Sequence, residues 1–352
     1  MVATQPTVVN MSKNKEYTSD SIKVLDDIAH IRLRPGLYVG GANSTGHFII
    51  LKEIIDNSID EAIGGHASRI DVTISDDCRS AEVFDNGRGI PHDKHPKTGI
   101  STLATVFGTA KSGGKFDNDT YGTSVGTHGV GSTATNALSS VFYAESYRGR
   151  KTASVQFQRG KMLGKDAKIA DSTTKEKHGT LVRFTPDYEQ VFKGVPGFSI
   201  AQIEERLSDA AHLLPKTQIS IVHGGTKRTL PSAGVRGILQ DPNAYCIDFD
   251  FQVDVGGEEK TANLSVAWTW GTESRNVSLV NLSRTSDGGQ HASGWEGALT
   301  EFLLERCKSK CSSKEITDTL QYALHVSHPN PQFSSQTKEK LINKGLSKAI
   351  SD

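Results

Sequence analysis

The chain has 352 residues, enough for two domains, because a single hydrophobic core rarely grows past roughly 250 to 300 residues. Lys plus Arg number 40 against 40 Asp plus Glu, so no overall field draws the protein to nucleic acid or to a membrane, and any DNA contact must be local. No apolar run reaches the roughly 20 residues that span a bilayer, and residues 1–16 lack the charged-then-apolar order of a signal peptide, so a soluble, cytoplasmic protein without a membrane partner is expected.

Residues 1–16 are polar and unpatterned and are expected to be poorly ordered. Tyr17, Ile22, Val24 and Leu25 then precede or enter a helix predicted from Ser21, whose hydroxyl can cap it. Arg34-Pro35-Gly36 breaks that helix, and Leu37 to Gly40 reads as a short extended piece.

Residues 47–63 form one amphipathic helix closed by Gly64 and Gly65. Phe48, Leu51, Ile54, Ile55, Ile59 and Ala62 fall on one side, and Glu53, Asp56, Asn57 and Asp60 on the other. A solvated surface stripe is the plain alternative. Yet Glu53 and Asn57, four apart, can point at one ligand, the carboxylate taking a proton from water and the amide oxygen ligating Mg²⁺.

Arg69 to Ser75 and Ser80 to Phe84 read as a hairpin that leads into Asp85-Asn86-Gly87-Arg88-Gly89-Ile90-Pro91. There the glycines allow close approach of a flat ligand and a carboxylate can accept from an exocyclic amine, although Asp-Asn-Gly is also an ordinary turn. Glycines at 113, 114, 122, 126, 129 and 131 surround Lys115 and His128 and run into a helix predicted over 132–138. Backbone amides there can face an anion, while a plain surface loop is the alternative.

Alternating runs at 152–158 and 180–184 continue a sheet, and a helix is predicted over 199–214. Gly224-Gly225 and Pro231 to Gly234 mark a domain boundary, followed by strands at 247–255, 262–270 and 278–282, a turn at 287–289 and a helix over about 294–308. Cys307 and Cys311 have a spacing able to supply two metal ligands, but no second pair accompanies them, so free thiols are expected.

These motifs together resemble the ATP-binding region of type IIA DNA topoisomerases, of the gyrase B and topoisomerase IV E kind, within the GHKL superfamily. The resemblance rests on Arg32 to Gly40, Glu53 to Ala62, Asp85 to Pro91, Gly113 to Phe116, His128 to Gly131, Gly179 to Phe184 and Pro331 to Leu341, and covers about residue 17 to the end. It implies an α+β fold: a GHKL (Bergerat) sandwich of a mixed, mostly antiparallel sheet and helices over 17–230, then a transducer domain of ribosomal protein S5-like α/β fold over 231–352.

By the same resemblance Glu53 is the general base and Asn57 the protein ligand of Mg²⁺. Asp85 binds the adenine amine of ATP, Arg88, Gly89, Ile90 and Pro91 line the pocket, and Thr180 assists. Gly113, Gly114, Lys115 and Tyr121, with His128, Gly129, Val130 and Gly131, match the lid and phosphate loop. Tyr17 and Ile22 match an arm that crosses to a second copy in an ATP-bound homodimer. Gln336 and Lys338 match the loop by which the transducer reaches the γ-phosphate, with Lys338 counted among the catalytic groups.

Two lid positions depart from the pattern, Thr127 and Val125. The chain also stops 14 residues after Lys338, before the closing part of a transducer and without a DNA-cleavage domain. A C-terminally truncated transducer is therefore expected, in a fragment or one piece of a split enzyme that works with a cleavage subunit. The implied function is an ATP-hydrolysing gate that couples turnover to DNA strand passage, with weak duplex contacts through Arg306, Lys308, Lys310 and Lys314. A non-catalytic protein that uses this fold to pair with a partner topoisomerase is the alternative.

Overall fold

A computed structural model describes residues 25–110, 112, 129–308, 310–335 and 338–352. The predicted helix start at Ser21 and the arm residues Tyr17 and Ile22 lie outside these. The first described helix, α1 (Asp27–Leu33), starts at an Asp26 cap whose carboxylate accepts from the Ala29 amide at 2.7 Å. The stretch after Pro35, expected to be extended, is instead one helical turn, α2 (Gly36–Val39). Proline fits the start of a helix, and Gly40 at φ 74° ends it.

Helix α3 (Ser44–Ile63) begins three residues before the predicted start, because the Asn43 side chain caps it by accepting from the Gly46 amide at 3.1 Å. Strands β1 (Arg69–Ile74) and β2 (Ala81–Asp85) form the expected antiparallel hairpin, with Ile70 opposite Asp85. Helix α4 (Thr102–Gly108) and α5 (Gly131–Ala137) follow, then β3 (Ser139–Arg148), β4 (Lys151–Gln158), β5 (Lys161–Met162), β6 (Lys168–Asp171) and β7 (His178–Pro186). Helix α6 (Ile200–Leu213) leads to β8 (Gln218–His223) and β9 (Thr226–Thr229).

These strands make one sheet in the order β5-β4-β3-β7-β2-β1-β8-β9, with β6 on β4. Among the described residues only the β1–β8 pairing in it is parallel, as expected for a mixed, mostly antiparallel sheet. The apolar side of α3 packs on it: Ile50, Leu51, Ile55 and Ile59 are fully buried in a core with Phe142, Phe157, Phe184 and Phe192. Each such side chain contributes about 1.5 to 3 kcal/mol relative to exposure, so α3 is anchored to the sheet from Ile50 to Ile59.

The second sheet, order β10-β11-β14-β12-β13, holds β10 (Tyr245–Val255), β11 (Glu258–Trp270), β12 (Arg275–Val280), β13 (Ser283–Arg284) and β14 (Leu320–Ser327). Here β12 runs parallel to β14 and the other pairings are antiparallel. Helices α8 (Gln290–Cys307), α9 (Ser313–Thr319) and α10 (Leu346–Ser351) accompany it. The strand predicted over 278–282 ends at Val280, since Asn281 and Leu282 form a two-residue turn with φ 46° and 63°. Helix α7 (Gly234–Leu239) follows the glycine-rich stretch and packs Val235, Ile238 and Leu239 against Ala267, Leu279 and Ala323 of the second sheet, with Leu213 of α6 beside them.

Candidate functional site

The polar side of α3 is interior, not a solvated stripe. Asp56 is 3 % exposed and Asp60 0 %, so each needs partners to stay charged. Asp56 has them on both oxygens. Arg206 of α6 donates to Oδ1 through Nε at 3.0 Å and Nη2 at 2.5 Å, and Lys52 Nζ donates to Oδ2 at 2.6 Å. Burial pushes the Asp56 carboxyl up, but the two cations outweigh it and hold its pKa below the ordinary carboxylate range.

Asn57, one turn past Glu53, directs its amide nitrogen to Ser132 Oγ at 2.9 Å, which sets the plane of the side chain. Glu53 lies against the start of α5. A Cβ added to Gly131 would stand 1.9 Å from Glu53 Oε2, so only glycine lets the carboxylate sit there. Gly129 and Val130 lead into that turn.

Lys338, 285 positions after Glu53, comes to the same place. It is 7 % exposed, and its ammonium lies in the field of Lys52, Glu53, Asp56 and Asp60. Burial and Lys52 pull its pKa below the usual lysine value, while the three carboxylates pull it back. Its backbone is left-handed, φ 60°, in the loop that bridges Phe333 to Leu341.

Asp85 closes β2 at the other end of α3. Its Oδ2 accepts from Ser58 Oγ at 2.9 Å and its Oδ1 from the Gly87 amide at 2.9 Å. Burial lifts its pKa to about 6 in spite of these bonds, with Glu61 adding to the rise. Glu61 in turn takes Arg88 through Nη2 at 2.7 Å, Nε at 3.1 Å and the backbone amide at 3.0 Å. Gly89, φ 68°, allows a turn in which a Cβ would be 2.6 Å from the Tyr147 carbonyl oxygen. Ile90 exchanges hydrogen bonds with Ser146 Oγ at 2.8 and 2.7 Å, and Pro91 follows on the surface. Thr180 of β7 stands opposite Asp85.

The structure thus brings Glu53, Asn57, Gly129, Val130, Gly131 and Lys338 to one end of the α3 polar face, and Asp85, Arg88, Gly89, Ile90, Pro91 and Thr180 to the other. Gly113, Gly114, Lys115, Tyr121, His128, Gln336 and Tyr17 lie outside the described residues. Sequence reasoning missed Arg206, Lys52 and Ser58. Arg206 had a signal: it falls at i+3 from Ile203 and beside Leu207 on the apolar stripe of α6, where a charge requires a buried partner. The four cysteines are free thiols, and among the described residues no group of three or more His, Cys, Asp or Glu could hold a metal ion. No helix among them is long and apolar enough to cross a membrane.

Two family models match the chain, one described as histidine kinase-, DNA gyrase B-, and HSP90-like ATPase over residues 43–190 and one as DNA gyrase B over 224–352. The DNA gyrase B protein of Streptococcus pneumoniae is 34% identical over 346 residues, covering 94% of this chain and 53% of its own length. Its Campylobacter jejuni counterpart is 36% identical over 344 residues, with 93% and 43% covered. The chain therefore spans about half the length of the curated relatives it matches. Among solved structures, the 43K ATPase domain of Thermus thermophilus gyrase B, in complex with an aminocoumarin, superposes with a TM-score of 0.72 at 26% identity, covering 93% of this chain and 87% of that one. The ATPase region of Saccharomyces cerevisiae topoisomerase II shares the fold, with a TM-score of 0.75 at 20% identity over 95% of this chain and 93% of that one.

Proposed function

We propose that the chain is the ATPase and transducer region of a type II DNA topoisomerase and works as an ATP-operated dimerisation gate, with an ATPase domain over 17–230 and a transducer over 231–352, a reading supported by the two family matches and the gyrase B relatives. One observation carries the reading. Lys338, far along the chain and in the second domain, is buried beside Glu53, the group suited to activate water. A cation there meets the last phosphate of ATP and not of ADP, which links domain position to hydrolysis.

ATP enters with its adenine amine toward Asp85, in the pocket shaped by Gly89 and Thr180. Asp85 is pre-set by Ser58 and the Gly87 amide, so little reorganisation accompanies binding. The triphosphate runs toward Gly129 to Gly131. Glu53 accepts a proton from the water whose oxygen bonds to the γ-phosphorus, while the bond from that phosphorus to its bridging oxygen breaks and ADP leaves. Lys338 offsets the charge that shifts between the oxygens.

A Mg²⁺ ion fits at Asn57, whose orientation is fixed by Ser132, because a nucleotide-bound Mg²⁺ takes few protein ligands and needs no cluster of carboxylates. When bound it supplies charge neutralisation on the phosphates. In the proposed cycle, arms carrying Tyr17 and Ile22 exchange between two copies around a DNA segment, and a cleavage subunit or domain acts downstream.

Phosphate release by the purified chain tests this. Steady ATP turnover that is lost in Glu53→Ala, with analogue binding retained, is expected. An inactive wild-type protein, or wild-type turnover in Glu53→Ala, overturns the assignment.

A further inference from the structure

Helix α6 is tied on both sides by ion pairs that no part of the proposed reaction uses. On one side Arg206 clamps Asp56, three residues from Glu53 on α3. On the other, Asp209, which is 3 % exposed, takes Arg284 of β13 in a fork, Nε to Oδ2 at 2.6 Å and Nη2 to Oδ1 at 3.0 Å, with Glu205 bonded to the third guanidinium nitrogen. Such a bidentate pair fixes orientation as well as distance.

The hairpin that carries Arg284 is itself set into the first half of the molecule. Leu282, at its tip, is 5 % exposed and joins the apolar core that lies on the first sheet. It holds φ 63°, a left-handed conformation that is strained for a bulky residue and persists only where the surroundings enforce it. Two supports enforce it here. The Leu282 amide donates to His325 Nε2 at 3.4 Å, and Asn281 bonds the backbone of His328 on both sides of its amide, at 2.9 and 2.7 Å. The tip is therefore anchored to β14 and the segment after it, the chain that runs on to Lys338.

We propose that the β12–β13 hairpin positions the nucleotide-hydrolysing helix: Arg284 sets α6 through Asp209 and Glu205, and α6 sets Glu53 and the resting place of Lys338 through the Arg206–Asp56 pair. Arg284, Asp209 and Arg206 are then positioning residues. The proposal rests on the reading of α3 as the helix that bears the base. Domain movement that pulls the hairpin would reach Glu53 through two ion pairs in series, so breaking either one has the same consequence as breaking both.

The test uses the full chain. Arg284→Ala and Arg206→Met should each lower the maximal ATP turnover about ten-fold, leave the ATP concentration for half-maximal rate and ADP affinity within two-fold, and in combination give no further loss. Arg284→Lys should recover part of the rate. Hydrogen exchange adds a readout that needs no turnover: the amides of residues 53–57 should exchange faster in Arg284→Ala, and not in the surface control Lys216→Ala. Multiplicative losses in the double variant, or unchanged exchange at 53–57 in Arg284→Ala, overturn the proposal. An inactive wild-type chain would overturn the hydrolysis reading alone, and the exchange result would still decide the coupling.

Discussion

Gly131→Ala is the sharpest probe of where the base sits. The new Cβ would stand 1.9 Å from Glu53 Oε2, 2.6 Å from Cδ and 2.9 Å from Cγ. Carbon contacts under about 3 Å do not persist, so the carboxylate must retreat by about 1 Å or more. Folding should tolerate this, because Gly131 does not need a positive φ and the obstacle is the end of a flexible side chain. Alanine at a helix start recovers up to about 1 kcal/mol of propensity, against about 0.5 to 1.5 kcal/mol for an off-rotamer glutamate, so the melting temperature should shift by a few degrees at most. Catalysis should not tolerate it. A misplacement of about 1 Å costs on the order of 100-fold, or about 2.7 kcal/mol of barrier. Phosphate release at saturating ATP, beside calorimetric ADP binding, should show that loss with ADP affinity within about three-fold. Turnover within three-fold of wild type would refute the placement of Glu53 as the base.

Asp85→Asn replaces an acceptor with a partial donor facing an amine and should weaken ADP binding by about ten-fold or more, measured by calorimetry; unchanged affinity would remove Asp85 from the pocket. A non-hydrolysable ATP analogue should drive monomers to dimers in sedimentation, and deletion of residues 1–23 should abolish this; a dimer that survives the deletion contradicts the arm exchange. Acid should destabilise the core of the first sheet early. Burial, aided by Arg79, lowers the His47 pKa from 6.5 to about 4, so between those values the unfolded chain binds a proton that the folded one does not. Stability then falls as pH drops from 6.5 to 4, by about 3 kcal/mol for this group, and His47→Gln should flatten the melting profile in that window.

Much of this is legible in the sequence alone. The apolar periodicity of α3 identifies its core face, and the glycines before α5 and after Asp85 mark the two close approaches. The polar face of α3 is legible only in part, because periodicity separates apolar from polar residues and does not say whether the polar side meets water or a second layer. Asp56 and Asp60 are buried, and the cations that meet this face, Arg206 of α6 and Lys338, come from positions distant in sequence. The segment after Pro35 misleads because Leu37, Tyr38 and Val39 favour strands locally, whereas Pro35 and Gly40 bracket them as a helical turn. Arg284 gives no sequence signal, since its value lies in two partners, Asp209 and Glu205, 75 and 79 positions away.

If Lys338, 285 positions after Glu53, completes a hydrolytic site built on α3, its loss should stop hydrolysis and spare ADP binding. Lys338→Ala, measured for ATP turnover and ADP affinity in one preparation beside Lys338→Arg, should show turnover reduced by about 100-fold or more in the alanine variant, with ADP affinity within about three-fold, since ADP has no terminal phosphate for the ammonium to reach. Turnover near wild type, or an equal loss of ADP and ATP binding, would contradict it.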